Sequence, residues 1–225
     1  MAVAVAAPNG PNNLEVLKSE RMKPIAGASV PAQAGNVTEL NINATSVTKS
    51  WQGYFGNISG VITLDNANNM TMYNWVDASP QGEVYASPAQ ISSWASVKCI
   101  NFSAHSPELN LSNLESSLGM RTADVDGVNE TFRYSFSGDF WVGSVHITSG
   151  NECPATYTFK NDAPQSVDFV EVLLTDSTDV IYASILEDSV AGFDEKPHDF
   201  QMLVGENGHN GDVAVTQYYF YVELE

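Results

Sequence analysis

Two carboxylate-rich stretches carry the ligand-like spacing in this chain. Asp124-Val-Asp126-Gly127-Val-Asn129-Glu130 places oxygen donors at alternate positions with a glycine for the bend, like the opening of a calcium loop. Ser135 stands where an EF-hand would have its closing glutamate, so a plain polar turn competes with a cation site. Glu187, Asp188, Asp194, Glu195 and Asp199 crowd five carboxylates into thirteen residues, which repel one another unless solvated or sharing a cation. Calcium is therefore the cofactor the sequence admits, and none is required. His105, His146, His198 and His209 are scattered, without the Cys/His clustering of a zinc site. Gly56 to Gly60 reads G-N-I-S-G, with the serine one place late for a nucleophile elbow. No pair of strand carboxylates stands out for glycoside hydrolysis. The residues name no reaction, and the chain reads as non-enzymatic.

The remaining chemistry is modification. N-glycosylation sequons fall at Asn36, Asn43, Asn57, Asn69, Asn101, Asn110 and Asn129. Composition alone would give roughly three, so seven is an excess. Asn43, Asn57 and Asn129 sit on the polar phase of alternating stretches, where a glycan can point outward. Cys99 and Cys153 are the two cysteines, and among so many sequons they suggest one disulfide in an oxidising compartment. Two buried thiols are the competing reading.

Charge narrows the partners. The chain holds 27 acidic against 9 basic residues, a net charge of −18. Nucleic acid and anionic lipid both recruit Lys and Arg to displace counterions, so neither fits. A solvated acidic surface, salt adaptation and divalent-cation binding all accommodate the excess. No stretch approaches the ~20 apolar residues of a membrane helix. Met1–Ala7 lacks the basic n-region of a secretory signal; it reads as the end of one or as an apolar strand.

These residues need elements to carry them. Residues 1–35 hold Pro8, Pro11, Pro24 and Pro31 among Ala, Gly and Asn, and read as an arm or linker that could serve as a donor strand. Residues 36–225 read as the β domain. Val37–Val47 alternates, with Leu40, Ile42 and Ala44 on one side. Trp51–Asp65 reads as two strands reversing near Asn57–Gly60, with Tyr54, Ile58, Ile62 and Leu64 inward. Strands are expected at 71–76, 83–86, 130–136, 140–148, 155–160, 167–175, 180–186, 200–204 and 213–224. A helical insertion is expected near 88–118. Its first helix is started by Ser87-Pro88; its second has a capping box at Ser112/Glu115, the stripe Leu111, Leu114 and Leu118, and a stop at Gly119. The pattern predicts a mainly β fold, an antiparallel β-sandwich or jelly-roll-like domain. In the last strand, Tyr218, Phe220, Val222 and Leu224 share one face, and Tyr219, Tyr221 and Glu223 the other.

The run Ala34–Asn43, the Trp51–Asp65 stretch, and Glu152–Ala163 through Asp199–Val204 to Tyr218–Glu225 resemble a group of archaeal secreted or cell-surface proteins over residues 34–225. That resemblance implies an extracellular, N-glycosylated protein and supplies no mechanism. The plan of an N-terminal arm and a glycosylated β domain is similar to that of archaeal filament subunits joined by donor strands. Two functions are expected to compete. One is a homopolymeric structural subunit of a pilus-like filament. The other is a monomeric adhesin or carbohydrate- and calcium-binding module.

Overall fold

The computed structural model describes residues 7–76, 80–102, 109–208 and 214–225. Its strands are β1 (Trp51–Gly56), β2 (Val61–Asp65), β3 (Thr71–Val76), β4 (Gly82–Ser87) and β5 (Lys98–Cys99). Two short helices follow, α1 (Leu111–Ser117) and α2 (Val128–Thr131). Then come β6 (Tyr134–Ser135), β7 (Phe140–Val142), β8 (Val145–Ile147), β9 (Pro154–Tyr157), β10 (Val170–Thr175) and β11 (Val180–Ile185). The chain closes with β12 (Val190–Ala191), β13 (Pro197–His198), β14 (Phe200–Gly205) and β15 (Tyr219–Leu224).

The fold is mainly β, as expected, and its strand pairs are antiparallel. A central sheet runs β15-β4-β11-β10-β9-β6, and β5 takes the part of the β10 edge that β9 leaves. Strands β10 and β11 are buried on both phases because both faces of this sheet are covered. On one face Val84, Ala86, Leu173 and Tyr182 pack with Leu111, Leu114, Phe132, Met202 and Val204, beneath α1 and the two-stranded sheet β1-β14. On the other, Tyr85, Val172, Leu174, Ile181 and Ala183 pack with Phe140, Val142 and Ile147 of the β7-β8 hairpin. The Cys99–Cys153 disulfide, with Cα atoms 4.9 Å apart, staples β5 to the start of β9. Closing that loop stabilises the fold by about 4 kcal/mol in the chain-entropy model.

Several local expectations are corrected. Trp51–Asp65 does split into two strands, but they do not pair with each other: β1 pairs with β14 and β2 with β3. Tyr54 and Ile58 pack against the core, whereas Ile62 and Leu64 stay exposed, because the β2-β3 hairpin has no covering layer. No helix forms after Ser87. Ile91 N donates to Tyr221 Oη, a tertiary partner, and only a 3₁₀ turn forms at Trp94–Ser96. In the second helix the cap is Asn110, not Ser112: its side chain accepts from Asn113 N at 2.9 Å. Gly119, at φ +69°, does end that helix. The strand expected at 130–136 begins instead as α2; Phe132 and Phe136 are buried, but Tyr134 is not. Residues 140–148 form a hairpin that reverses at Gly143, φ +57°, rather than one central strand.

The boundary expected at 35/36 is not marked by a strand. Val37–Val47 is exposed and forms no strand, and among the described residues the first strand opens at Trp51. The strand-like alternation of Leu40, Ile42 and Ala44 has no sheet within the described residues to join.

Candidate functional site

Among the described residues, the arm joins the domain's sheet at one ladder position. Asn9 N donates to the Val222 carbonyl at 3.0 Å, and Val222 N to the Asn9 carbonyl at 2.8 Å. This antiparallel bridge occupies the outer edge of β15, the terminal strand of the central sheet. Ala7 packs beside Gly143 in the β7-β8 turn. Residues 10–48 form no helix or strand; a turn closes at Gln33–Asn36, where Gly35 takes φ +87°. Leu14, Val16, Leu17, Ile25, Val37 and Ile42 are all exposed along it.

Beneath the bridge lies a buried acid cluster. Glu83 of β4 and Glu223 of β15 are directly opposite in register, and each is 2% exposed. Tyr85 Oη lies 3.3 Å from Glu83 Oε2 and 3.2 Å from Glu223 Oε2. Gly143 N donates to Glu223 at 3.0 Å. Burial, reinforced by the charges of Glu225 and Glu223, pushes the Glu83 carboxyl up to about 9. Burial also raises Glu223, against the Gly143 and Tyr85 hydrogen bonds, to about 7. The Tyr85 hydroxyl is placed to donate to either carboxyl, and its one proton serves one of them at a time. Such a pair holds protons without meeting a substrate, since both glutamates are enclosed.

Among the described residues, no strand pairs with the second edge of β1. Glu206 N donates to the Ser50 carbonyl at 2.8 Å, which fixes the hydrogen-bonded phase of the β1-β14 ladder. By alternation Gln52, Tyr54 and Gly56 face β14, and the backbone of Trp51, Gly53 and Phe55 faces away. The Gly53 carbonyl takes the side chain of its own neighbour Gln52, at 2.6 Å. The far edge of β14 is closed differently. Glu171 and Tyr182 accept from Leu203 N and Gly205 N, while Ser184 and Tyr218 donate to the carbonyls of Gln201 and Gly205. Glu171 is fully enclosed, and burial raises its carboxyl well above the usual range. Beside β1 lies a groove of 1220 Å³, walled by Phe55, Tyr134, Tyr157 and Phe159, and Ser19–Met22 of the arm also line it.

The residues singled out in the sequence separate by role. Asn36, Asn43, Asn57, Asn69 and Asn101 are exposed, with Asn69 in the β2-β3 turn at φ +57°. Asn110 is wholly buried as the cap of α1, and a glycan has no room there. Asn129 is half-buried, and its Nδ2, the atom a glycan would need, donates to buried Glu115 at 2.9 Å.

The two candidate cation stretches do not gather ligands: among the described residues no group of three or more His, Cys, Asp or Glu is placed to hold a metal. Asp124 accepts from Arg121 N, and Asp126 accepts from Thr48 and Ser50 at the start of β1. Glu187 accepts from Phe169 N, and Asp188 is exposed. Asp194 pairs with His198 at 2.8 Å, and Asp199 accepts from Ile58 N and Ser189 N. His105 and His209 lie outside the described residues.

In the last strand both faces are used as expected: Tyr218, Phe220, Val222 and Leu224 pack on one core, and Tyr221 on the other. The buried acids were missed in the sequence. Their signal is phase: Glu83 shares a face with Tyr85, and Glu171 interrupts an otherwise apolar strand. No helix among the described residues is long and apolar enough to cross a membrane. Compared with family models, curated proteins and solved structures, the chain matches none of them.

Proposed function

We propose that this protein is a non-enzymatic structural subunit of an extracellular assembly, a pilus-like filament in which each N-terminal arm adds a strand to the sheet of the next copy. The arm carries this reading. Residues 10–48 form no helix or strand, their large apolar side chains are exposed, and among the described residues the arm joins its own domain's sheet at one bridge, at Asn9. Ordering so long a segment costs roughly 1–2 kcal/mol per residue, which a single bridge does not offset; a neighbour's sheet edge would. A head-to-tail contact that does not close on itself propagates as a filament. The disulfide is compatible with an oxidising exterior, and the exposed sequons with glycans there. The resemblance to archaeal surface proteins favours that setting. Deleting residues 1–30 tests the reading: a folded, disulfide-bonded monomer is expected, and polymers that persist after the deletion contradict it.

One observation favours the competing adhesin. The β2-β3 hairpin protrudes, and Tyr73 and Trp75 pair at 4.8 Å between ring centroids with both rings half exposed. Such a pair can stack on a sugar. The adhesin predicts a monomer whose melting temperature rises with a glycan. The filament predicts polymers without one.

A further inference from the structure

In the lining of the groove beside β1, a threonine hydroxyl meets a glutamine carboxamide. We propose that Thr158 and Gln201 condense, without an enzyme, into an intramolecular ester that ties the chain just after β9 to β14.

The carboxamide is buried and held in one orientation. Gln201 is 3% exposed. Its Nε2 donates to Thr158 Oγ1 at 2.7 Å and to the Phe159 carbonyl at 2.9 Å. Its Oε1 accepts from Phe193 N at 2.8 Å. A carbonyl at one end and an N–H at the other fix which atom is the nitrogen. The amide C–N bond is about 1.33 Å long, so Thr158 Oγ1 stands within about 4 Å of Gln201 Cδ.

Both backbones are clamped. Thr158 N donates to the Phe169 carbonyl at 3.2 Å, and the Thr158 carbonyl accepts from Gln165 Nε2 at 2.6 Å. Gln201 pairs with Phe55 of β1, and its carbonyl accepts from Ser184 Oγ at 3.0 Å. A nucleophile and an acyl carbon held together in this way react as if each were at very high concentration.

The surroundings suit acyl transfer. The Phe193 N–H already points at Oε1, the atom that gains negative charge when Cδ is attacked. His198, itself buried, lies beside the carboxamide: a Cβ on Gly192 would stand 2.6 Å from His198 Cδ2 and 2.8 Å from Gln201 Oε1. Asp194 holds His198 Nε2 at 2.8 Å, and an imidazole so held can assist a proton transfer.

In the step, a bond forms between Thr158 Oγ1 and Gln201 Cδ, and the Cδ–Nε2 bond breaks. The hydroxyl proton leaves on Nε2 as ammonia. Nothing is oxidised or reduced, and no co-reactant is consumed. Both residues line the groove, which gives ammonia a way out. Reversal then needs ammonia from solution, and hydrolysis needs water at a buried carbon. The product joins the central sheet to the β1-β14 sheet, which the Cys99–Cys153 disulfide does not reach.

Mass spectrometry of the full-length chain, made without glycans and reduced, tests this. The wild-type protein is expected to be lighter than its sequence by one ammonia. Trypsin cuts after Lys160, so Thr158 and Gln201 fall on separate peptides. After denaturation and digestion these are expected as one linked species, which hydroxylamine separates as it does an ester. The full sequence mass, with the two peptides unlinked, overturns the proposal. A succinimide at an asparagine–glycine step such as Asn207-Gly208 also loses ammonia. Thr158→Val is therefore expected to regain the full mass, and a loss that persists in it, with no linked peptides in the wild type, overturns the proposal. His198→Gln is expected to slow closure in freshly made protein by at least about tenfold. Closure at the wild-type rate contradicts the part given to the imidazole.

Discussion

Glu83 and Glu223 face each other across the β4-β15 ladder, and one tyrosine hydroxyl, that of Tyr85, lies within 3.3 Å of both. Two carboxyls that close cannot both ionise cheaply in an enclosed site. The strand edge that carries the arm is therefore built over a proton-holding pair.

Stability should fall as pH rises through this pair. In the unfolded chain both carboxyls ionise near 4.5, whereas in the fold Glu223 holds its proton to about 7 and Glu83 to about 9. Below about 4.5 both states are protonated and the pair contributes no pH dependence. Between there and about 9 the folded state binds more protons, so unfolding becomes easier with each step. Melting temperature measured from pH 4.5 to 9 should decline, and Glu83→Gln should flatten the upper part of the decline. An unchanged slope in the variant would show that general charge repulsion, not this pair, is responsible.

Glu171 should behave as a neutral hydrogen-bond acceptor. Its Oε2 accepts from Leu203 N at 2.8 Å inside a fully buried site. Glu171→Gln keeps the acceptor and should cost about 1 kcal/mol in urea unfolding at neutral pH. Glu171→Ala strands the Leu203 N–H and opens a void, and should cost about 3 kcal/mol. Equal losses for the two variants would contradict this role.

Glycan occupancy should divide the sequons. Glycopeptide mass spectrometry of native material is expected to find modification among Asn36, Asn43, Asn57, Asn69 and Asn101, and none at Asn110, whose side chain caps α1. Asn110→Asp should preserve the cap, and Asn110→Ala should cost about 1 kcal/mol. A glycan on Asn110 would contradict the burial of that side chain.

How much of this was legible depends on whether the signal was local. The Val170–Thr175 and Val180–Ile185 strands are rich in Val, Leu and Ile, and such runs declare themselves. The partner of Trp51–Gly56 is a strand some 150 residues away, which no local pattern specifies. The helix expected after Ser87 fails because Tyr221, far along the chain, takes the Ile91 amide. The carboxylate loops looked like cation sites because spacing reports crowding, while the fold sends Asp199 and Glu187 to separate backbone amides. The strand pattern of Val37–Val47 was readable, but among the described residues no strand pairs with it. Asn110 reads as a sequon because a capping asparagine and an acceptor for a glycan share the same letters.

The central claim is that the arm joins one copy to the next. Electron microscopy of native material, compared with protein lacking residues 1–30, tests it most directly. The account predicts ordered filaments from the full chain, with each arm traced into a neighbour's sheet, and folded monomers from the truncated one. Monodisperse monomers from the full chain, with the arm held only by its own domain, would contradict it.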